Sequence, residues 1–219
     1  MTRTVVVVTA GLSQPSTTRL IADRIAASTA AAISARGEAA EIVVLELREL
    51  AVDLATTTTT AMPTPAITRA REQISGADAL IAVTPVFTAS YSGLFKMFFD
   101  SLDPDALNAM PTIIAATAGT PRHSLVLDHA VRPLLTYLRA VVVPTGVFAA
   151  TEDFGGDEAG AALGQRIRRA AEELAALVVA ERSGVEGFVP TEPHRPRVTG
   201  TTVRTDGSGF RDLLRAHLG

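Results

Sequence analysis

The chain contains no cysteine. That excludes disulfides, thiolate catalysis, cysteine-ligated zinc and protein-ligated iron–sulfur clusters. Tryptophan is also absent, and aromatic residues make up only 5% of the 219 positions, so each ring is scarce and Phe87 stands out. There is no surplus of basic side chains: 20 Lys and Arg face 23 Asp and Glu, for a formal net charge of -3. A nucleic-acid partner, which calls for a strongly basic face, is not expected. No apolar run reaches membrane-spanning length, and the polar start Met1-Thr2-Arg3-Thr4 carries no signal-peptide pattern, so a cytoplasmic protein without membrane association is expected. His123, His129, His194 and His217 are dispersed and match no metal-ligand spacing, so no metal site is expected. Ser13, Ser16 and Ser90 lack the G-x-S-x-G elbow of a serine nucleophile, and Asp128-His129, adjacent in a helical pattern, point in different directions. No catalytic side chain is assigned.

What is present is 47% hydrophobic, enough for a sizeable core. Short apolar runs alternate with longer helical patterns. Val5–Thr9, Glu41–Leu47, Ala79–Thr84, Thr112–Thr117 and Val141–Val147 read as five strands, the last interrupted by Pro144. Between them, helices are predicted over Thr17–Ser34, Ala66–Ile74, from Ser92 onward, and over Leu125–Leu138, with Pro133 a kink or local irregularity; a final long helix covers Ala159–Glu181. The βαβ repetition predicts an α/β fold with a parallel sheet. Residues 53–65, with Thr56–Thr60 and Met62-Pro63-Thr64-Pro65, read as a polar low-complexity insertion, mobile in the free protein. The division expected is one domain over 1–184 and a C-terminal extension over 185–219, whose Leu213, Leu214 and Leu218 suit a short amphipathic helix.

Three strand-to-helix loops carry the chemistry, because open α/β sheets bind ligands beyond the carboxyl ends of their strands. The first is Gly11–Arg19. Orphan amides at the helix start favour an anion, Ser13, Ser16 and Thr18 add neutral hydrogen bonds, and Arg19 adds charge-assisted donors. The same residues also read as an ordinary helix start, capped by Ser16 with Arg19 in solvent; the segment alone supports both. It lacks GxxxxGK[ST] and the three-glycine dinucleotide fingerprint, so a terminal phosphate fits better than a pyrophosphate. The second loop, Thr84–Ser90, offers Val86 and Phe87 as apolar surface for a flat heteroaromatic ring, with backbone N–H donors for its carbonyl edge; Phe87 as a core residue is the competing reading. The third, Thr117–Ser124, brings backbone close at Gly119 and adds Thr120, while Arg122 is placed to meet negative charge on a reduced ring or a pyridine-nucleotide phosphate.

Taken in order, these segments resemble the NAD(P)H-dependent FMN reductase family of the flavodoxin-like superfamily, most of all the reductase components of two-component flavin-dependent monooxygenase systems. TPVFTASYSGLFKMFFD is similar to the family's strand–loop–helix signature. ATAGTPRHSLVLDHAVRPLLTYLRA resembles its next segment, and AGLSQPSTTRL its phosphate loop. The resemblance covers about residues 5–181. Three departures stand out: Phe87 in place of the common tyrosine, Ala118 in place of the first glycine of a pair, and His129 where some relatives carry a tyrosine.

The resemblance implies a flavodoxin-like three-layer sandwich with a five-stranded parallel sheet, order 2-1-3-4-5. It places the FMN phosphate at Ser13, Ser16, Thr18 and Arg19, and the ring against Pro85, Val86, Phe87, Thr88 and Ser90, with Thr117, Gly119 and Thr120 on its other side. The activity implied is reduction of FMN by NADPH or NADH, with reduced flavin supplied to a partner monooxygenase. Quinone or azo-compound reduction with bound FMN is the nearest alternative, and an FMN-binding electron-transfer or regulatory protein the next. A homodimer or homotetramer is also implied.

Overall fold

The computed structural model describes residues 1–155, 158–179 and 197. Its centre is a parallel sheet built from β1 (Thr2–Thr9), β2 (Ala39–Glu46), β3 (Ala79–Phe87), β5 (Pro111–Ala118), β6 (Val141–Val142) and β7 (Val147–Ala150), with the two-residue β4 (Ser90–Tyr91) paired antiparallel to β3. The helices are α1 (Thr17–Ser34), α2 (Ala51–Thr60), α3 (Pro65–Ser75), α4 (Gly93–Asp100), α5 (Arg132–Tyr137) and α6 (Glu158–Val178).

Strand period two sorts the core onto two faces. Val5, Val7, Ile81, Val83, Ile113 and Ala115 pack in one cluster with Ile21, Ile25 and Ile33 of α1 and Leu163, Ile167 and Leu174 of α6. Val6, Val8, Leu80, Ala82, Ile114 and Ala116 pack in the other with Leu54, Ile67, Phe95, Phe98, Phe99 and Leu135 from α2 through α5. Strands buried on both faces read as continuous apolar runs, and those runs are what made them legible. The Phe95, Phe98 and Phe99 rings of α4 are buried inside the chain.

The parallel α/β sandwich is therefore present, but not as a five-stranded sheet in order 2-1-3-4-5. Among the described residues there are seven strands, in order β2-β1-β3-β5-β6, with β4 on β3 and β7 on β5. Both extra strands have local causes. β4 exists because Phe87–Ser90 closes a hairpin. The fifth strand is split because Pro144 has no N–H to donate to a ladder. The carbonyls at the break are taken up by Arg132, whose Nη1 donates to Val143 O at 3.1 Å and Nη2 to Pro144 O at 3.2 Å.

Residues 53–65 are a second correction. The expected irregular insertion is largely helical. In α2 the hydroxyls of Thr56, Thr58, Thr59 and Thr60 donate to the carbonyls four residues back, at 2.7–2.9 Å, while Leu54 and Thr57 are buried. Ala61, left-handed at φ 58°, ends the helix, and Thr64 caps α3 with Pro65 in its first turn. The irregularity expected at Pro133 is a wide π turn over Leu127–Val131, in which Arg132 N–H reaches back to Leu127 O. Widening the turn accommodates a proline that clashes with a regular helical carbonyl and cannot donate to it. The last helix ends at Val178, and the terminal helix expected over 213–218 lies outside the described residues. So does the extension from 185, apart from Arg197, which donates to the carbonyls of Asn108 and Ala77 beside the amino ends of β5 and β3.

Candidate functional site at the carboxyl edge of the sheet

Sheet register brings the three loops to one edge. Thr9 of β1 pairs with Glu46 of β2 and Val83 of β3, and Pro85 of β3 pairs with Thr117 of β5. All four strands therefore release their chains at a common level. There a cleft of about 350 Å³ opens, lined by Leu12, Ser13, Ser16, Thr17 and Thr18 from the first loop, Pro85, Val86 and Phe87 from the second, Thr117, Ala118 and Gly119 from the third, and Thr151 after β7.

The first wall is the start of α1. Ser16 is its N-cap, and its Oγ accepts from Arg19 N–H at 3.2 Å. The capping reading holds at Ser16, and the residue lines the cleft as well. Thr17 and Thr18 sit in the first turn, whose N–H groups have no intrahelical acceptor. Gly11 lets the loop close: a Cβ there would lie 2.1 Å from Ser16 Oγ. Thr18 is 4% exposed, and its Oγ1 lies 2.8 Å from Oγ1 of Thr117, which is 6% exposed. This bond ties the first loop to the third. Two hydroxyls own two protons, and one proton serves the bond between them. The other has no acceptor among the described residues.

Arg19 does not line the cleft. Its Nε donates to Asp23 Oδ1 at 2.8 Å and its Nη1 to Glu46 Oε1, so the half-buried guanidinium is held by carboxylates rather than lining the cleft. The hydrogen bond to Asp23, opposed by desolvation and aided by the charges of Asp23 and Glu46, raises its pKa. Glu46 Oε2 pairs in turn with Arg48 Nη2 at 2.7 Å. With the Gln14 amide turned so that its oxygen faces Arg48, that oxygen accepts from Nη1 at 2.6 Å and Nη2 at 2.7 Å.

The second wall is apolar. Phe87 is 47% exposed at the end of β3, which sets aside its reading as a core residue. The loop behind it is braced from inside. Thr84 Oγ1 donates to Pro85 O at 2.9 Å and accepts from Ser92 N–H at 3.0 Å, while Ser92 caps α4. Thr88 and Ala89 form the hairpin tip, both left-handed at φ 48° and 66°. Neither Thr88 nor Ser90 lines the cleft. On the third loop a Cβ at Gly119 would meet no atom within 4 Å, so internal packing does not require the glycine. Thr120, Arg122 and His123 follow it outside the lining, with all three exposed. Lys96 pairs with Asp100 one turn on, at 2.5 Å.

Of the thirteen site residues expected from sequence, the cleft gathers Ser13, Ser16, Thr18, Pro85, Val86, Phe87, Thr117 and Gly119. It leaves outside Arg19, Thr88, Ser90, Thr120 and Arg122. Leu12, Thr17, Ala118 and Thr151 were not anticipated. Thr151 had a usable signal: like Thr117 it is a threonine at a strand's carboxyl end, but the fifth strand was expected to stop at Val147 and actually runs to Ala150.

No described helix is long and apolar enough to cross a membrane, and no group of three His, Cys, Asp or Glu suited to a metal occurs among the described residues. The donor set suits a flavin mononucleotide: neutral hydroxyls and orphan amides at one end, Pro85, Val86 and Phe87 as flat apolar surface at the other, and a spare buried hydroxyl proton on the cleft wall.

Comparison with known proteins agrees with this geometry. Residues 3–155 match the family model described as NADPH-dependent FMN reductase. An FMN reductase (NADPH) of Pseudomonas aeruginosa is 38% identical over 176 residues, 79% of this chain and 91% of that protein. An NADH-dependent FMN reductase, SfnE, of Pseudomonas putida is 36% identical over 174 residues, with the same coverage of 79% and 91%. A solved oxidoreductase from Corynebacterium diphtheriae superposes with a TM-score of 0.80 at 61% identity, covering 82% of this chain and 98% of that one. The chain belongs to the NADPH-dependent FMN reductase family.

Proposed function

We propose that this protein reduces FMN at the expense of NADPH or NADH in the cleft at the carboxyl edge of the sheet, and that reduced FMN then serves a partner flavin-dependent monooxygenase. The observation that carries the reading is the convergence of three loops on one cleft in a chain of this family, with the phosphate-type helix start locked to the third loop through Thr18 and Thr117. The monooxygenase rests on the resemblance of the loop signatures to reductases of two-component systems.

The chemistry the flavin supplies is that of a two-electron acceptor for the nicotinamide hydride. The protein's share is binding and alignment. Ser13, Ser16 and the first-turn amides of Thr17 and Thr18 form the phosphate end. Ser16 keeps its hydroxyl proton free for an acceptor while its oxygen caps α1. Pro85, Val86 and Phe87 present apolar surface to the ring, and the exposed Phe87 borders the mouth where a second ring enters. Holding two rings at reacting distance converts an encounter into an intramolecular event. None of the lining side chains among the described residues is titratable, so no side-chain acid or base is assigned.

The test is steady-state oxidation of NADH and NADPH by purified protein, with and without FMN, FAD and riboflavin. Flavin-dependent turnover favouring FMN is expected. A folded protein that binds FMN but shows no such turnover points instead to electron transfer or a specialised acceptor. Reduced FMN that cannot support a monooxygenase reaction in a coupled assay refutes the second half of the proposal.

A further inference from the structure

Arg19 follows directly on Thr18 of the cleft wall, in the first turn of α1, and is the residue expected to grip a phosphate. Instead it is held by two carboxylates. Asp23, four residues on along the exposed face of α1, takes Nε, and Glu46, the last residue of β2, takes Nη1. Glu46 is fixed in place: it ends the strand beside Thr9 in register, and Arg48 occupies its second oxygen. Among the described residues, no lysine, arginine or histidine lines the cleft. Its phosphate end therefore works with neutral donors, while a full positive charge stands close by, already partnered.

We propose that Glu46 and Asp23 compete internally with the flavin phosphate for Arg19 and so set flavin affinity, weakening it enough for the flavin to exchange. This rests on the reading that the flavin phosphate sits at the start of α1. A charge-assisted contact from Arg19 to phosphate is worth more than a neutral one, and the two carboxylates withhold it. The two acids act together: Asp23 is more exposed, with a side chain 51% accessible, whereas that of Glu46 is 18% accessible and less screened by solvent. The hydrogen bond to Asp23 is the larger cause of the raised Arg19 pKa, but the more buried Glu46 is less screened and is held by Arg48, and so is the stronger restraint against an incoming phosphate.

The experiment is equilibrium binding and stopped-flow release of FMN and of riboflavin, which lacks the phosphate, using the whole chain. Glu46→Gln keeps an oxygen acceptor but removes the charge. Asp23→Asn, on an exposed helix face, does the same at a position where folding is not at stake. FMN is expected to bind roughly fivefold more tightly in Glu46→Gln and less so in Asp23→Asn, with slower release, while riboflavin affinity stays within about twofold. In an Arg19→Gln background the gain from Glu46→Gln should fall by at least about half on a logarithmic scale, because the freed arginine carries it. Unchanged or weaker FMN binding in both charge variants overturns the proposal. So does a gain shared equally by riboflavin, or one that persists in full without Arg19. If the parent protein binds FMN and riboflavin equally, the phosphate placement itself fails and the proposal falls with it; that outcome is visible before any variant is made.

Discussion

Replacing Thr18 with valine should destabilise the protein, and replacing Thr117 as well should restore much of what was lost. The two Oγ1 atoms are 2.8 Å apart, and the residues are 4% and 6% exposed. Valine keeps the shape of threonine, so packing is little disturbed. In Thr18→Val the Thr117 hydroxyl remains buried without its partner, at a cost of about 1–3 kcal/mol. For a chain of this length each kcal/mol moves Tm by about 2–4 °C, so a fall of roughly 6 °C is expected. Removing both hydroxyls leaves no unsatisfied group, and valine suits the strand position of Thr117. The double variant should therefore recover at least half of the loss, a coupling of about 1 kcal/mol or more in a double-mutant cycle. Flavin-free protein would be followed by calorimetry or circular dichroism. FMN affinity should behave differently. The pair's spare proton is a donor on the cleft wall, and the double variant lacks it, so affinity should stay low while stability returns. Strictly additive losses in Tm, or FMN affinity that recovers together with Tm, would refute the reasoning.

Gly11→Ala places a Cβ 2.1 Å from Ser16 Oγ and 3.1 Å from Thr18 Cβ, so the cap must move. A loss of about 1 kcal/mol is expected from the cap, with FMN binding weakened more than riboflavin binding; equal weakening in titrations would argue against a phosphate at this helix start. Ala89→Gly relieves a left-handed residue at φ 66° in the hairpin tip. Thermal melts should show a gain of about 1 kcal/mol, and no gain would mean the turn is not strained. Because no lining side chain among the described residues titrates, kcat for FMN reduction should vary less than about threefold between about pH 6 and 9. A bell-shaped profile would reveal an acid or base that the cleft does not display.

The strands at the centre of the sheet were legible because burial on both faces demands uninterrupted apolar residues, as in Val5–Val8 and Leu80–Val83. Capping chemistry was legible for the same kind of reason. Ser16 and Ser92 are local devices, satisfied by an N–H three residues away. Composition misled at Thr56–Thr60, where polar side chains suggested an insertion although their hydroxyls satisfy one another's turn within α2. The split of the last strand was hinted at by Pro144, but its continuation to Ala150 depends on pairing with β5, from Ala115↔Val147 to Ala118↔Ala150.

What the sequence by itself determined, then, are properties with short causes: helix starts, buried strands, the absence of thiol chemistry, and the loops that resemble those of a reductase family. The tertiary structure alone decided which side chains meet. Thr18 and Thr117 are 99 positions apart and share one hydrogen bond because β1 and β5 flank β3 in the same sheet. Arg19 is turned from the cleft by Glu46, 27 positions away, because β2 ends in register beside Thr9. Local sequence states what a residue is able to donate or accept, whereas partners far apart along the chain are selected by strand order and register, which arise only when the whole core is buried at once.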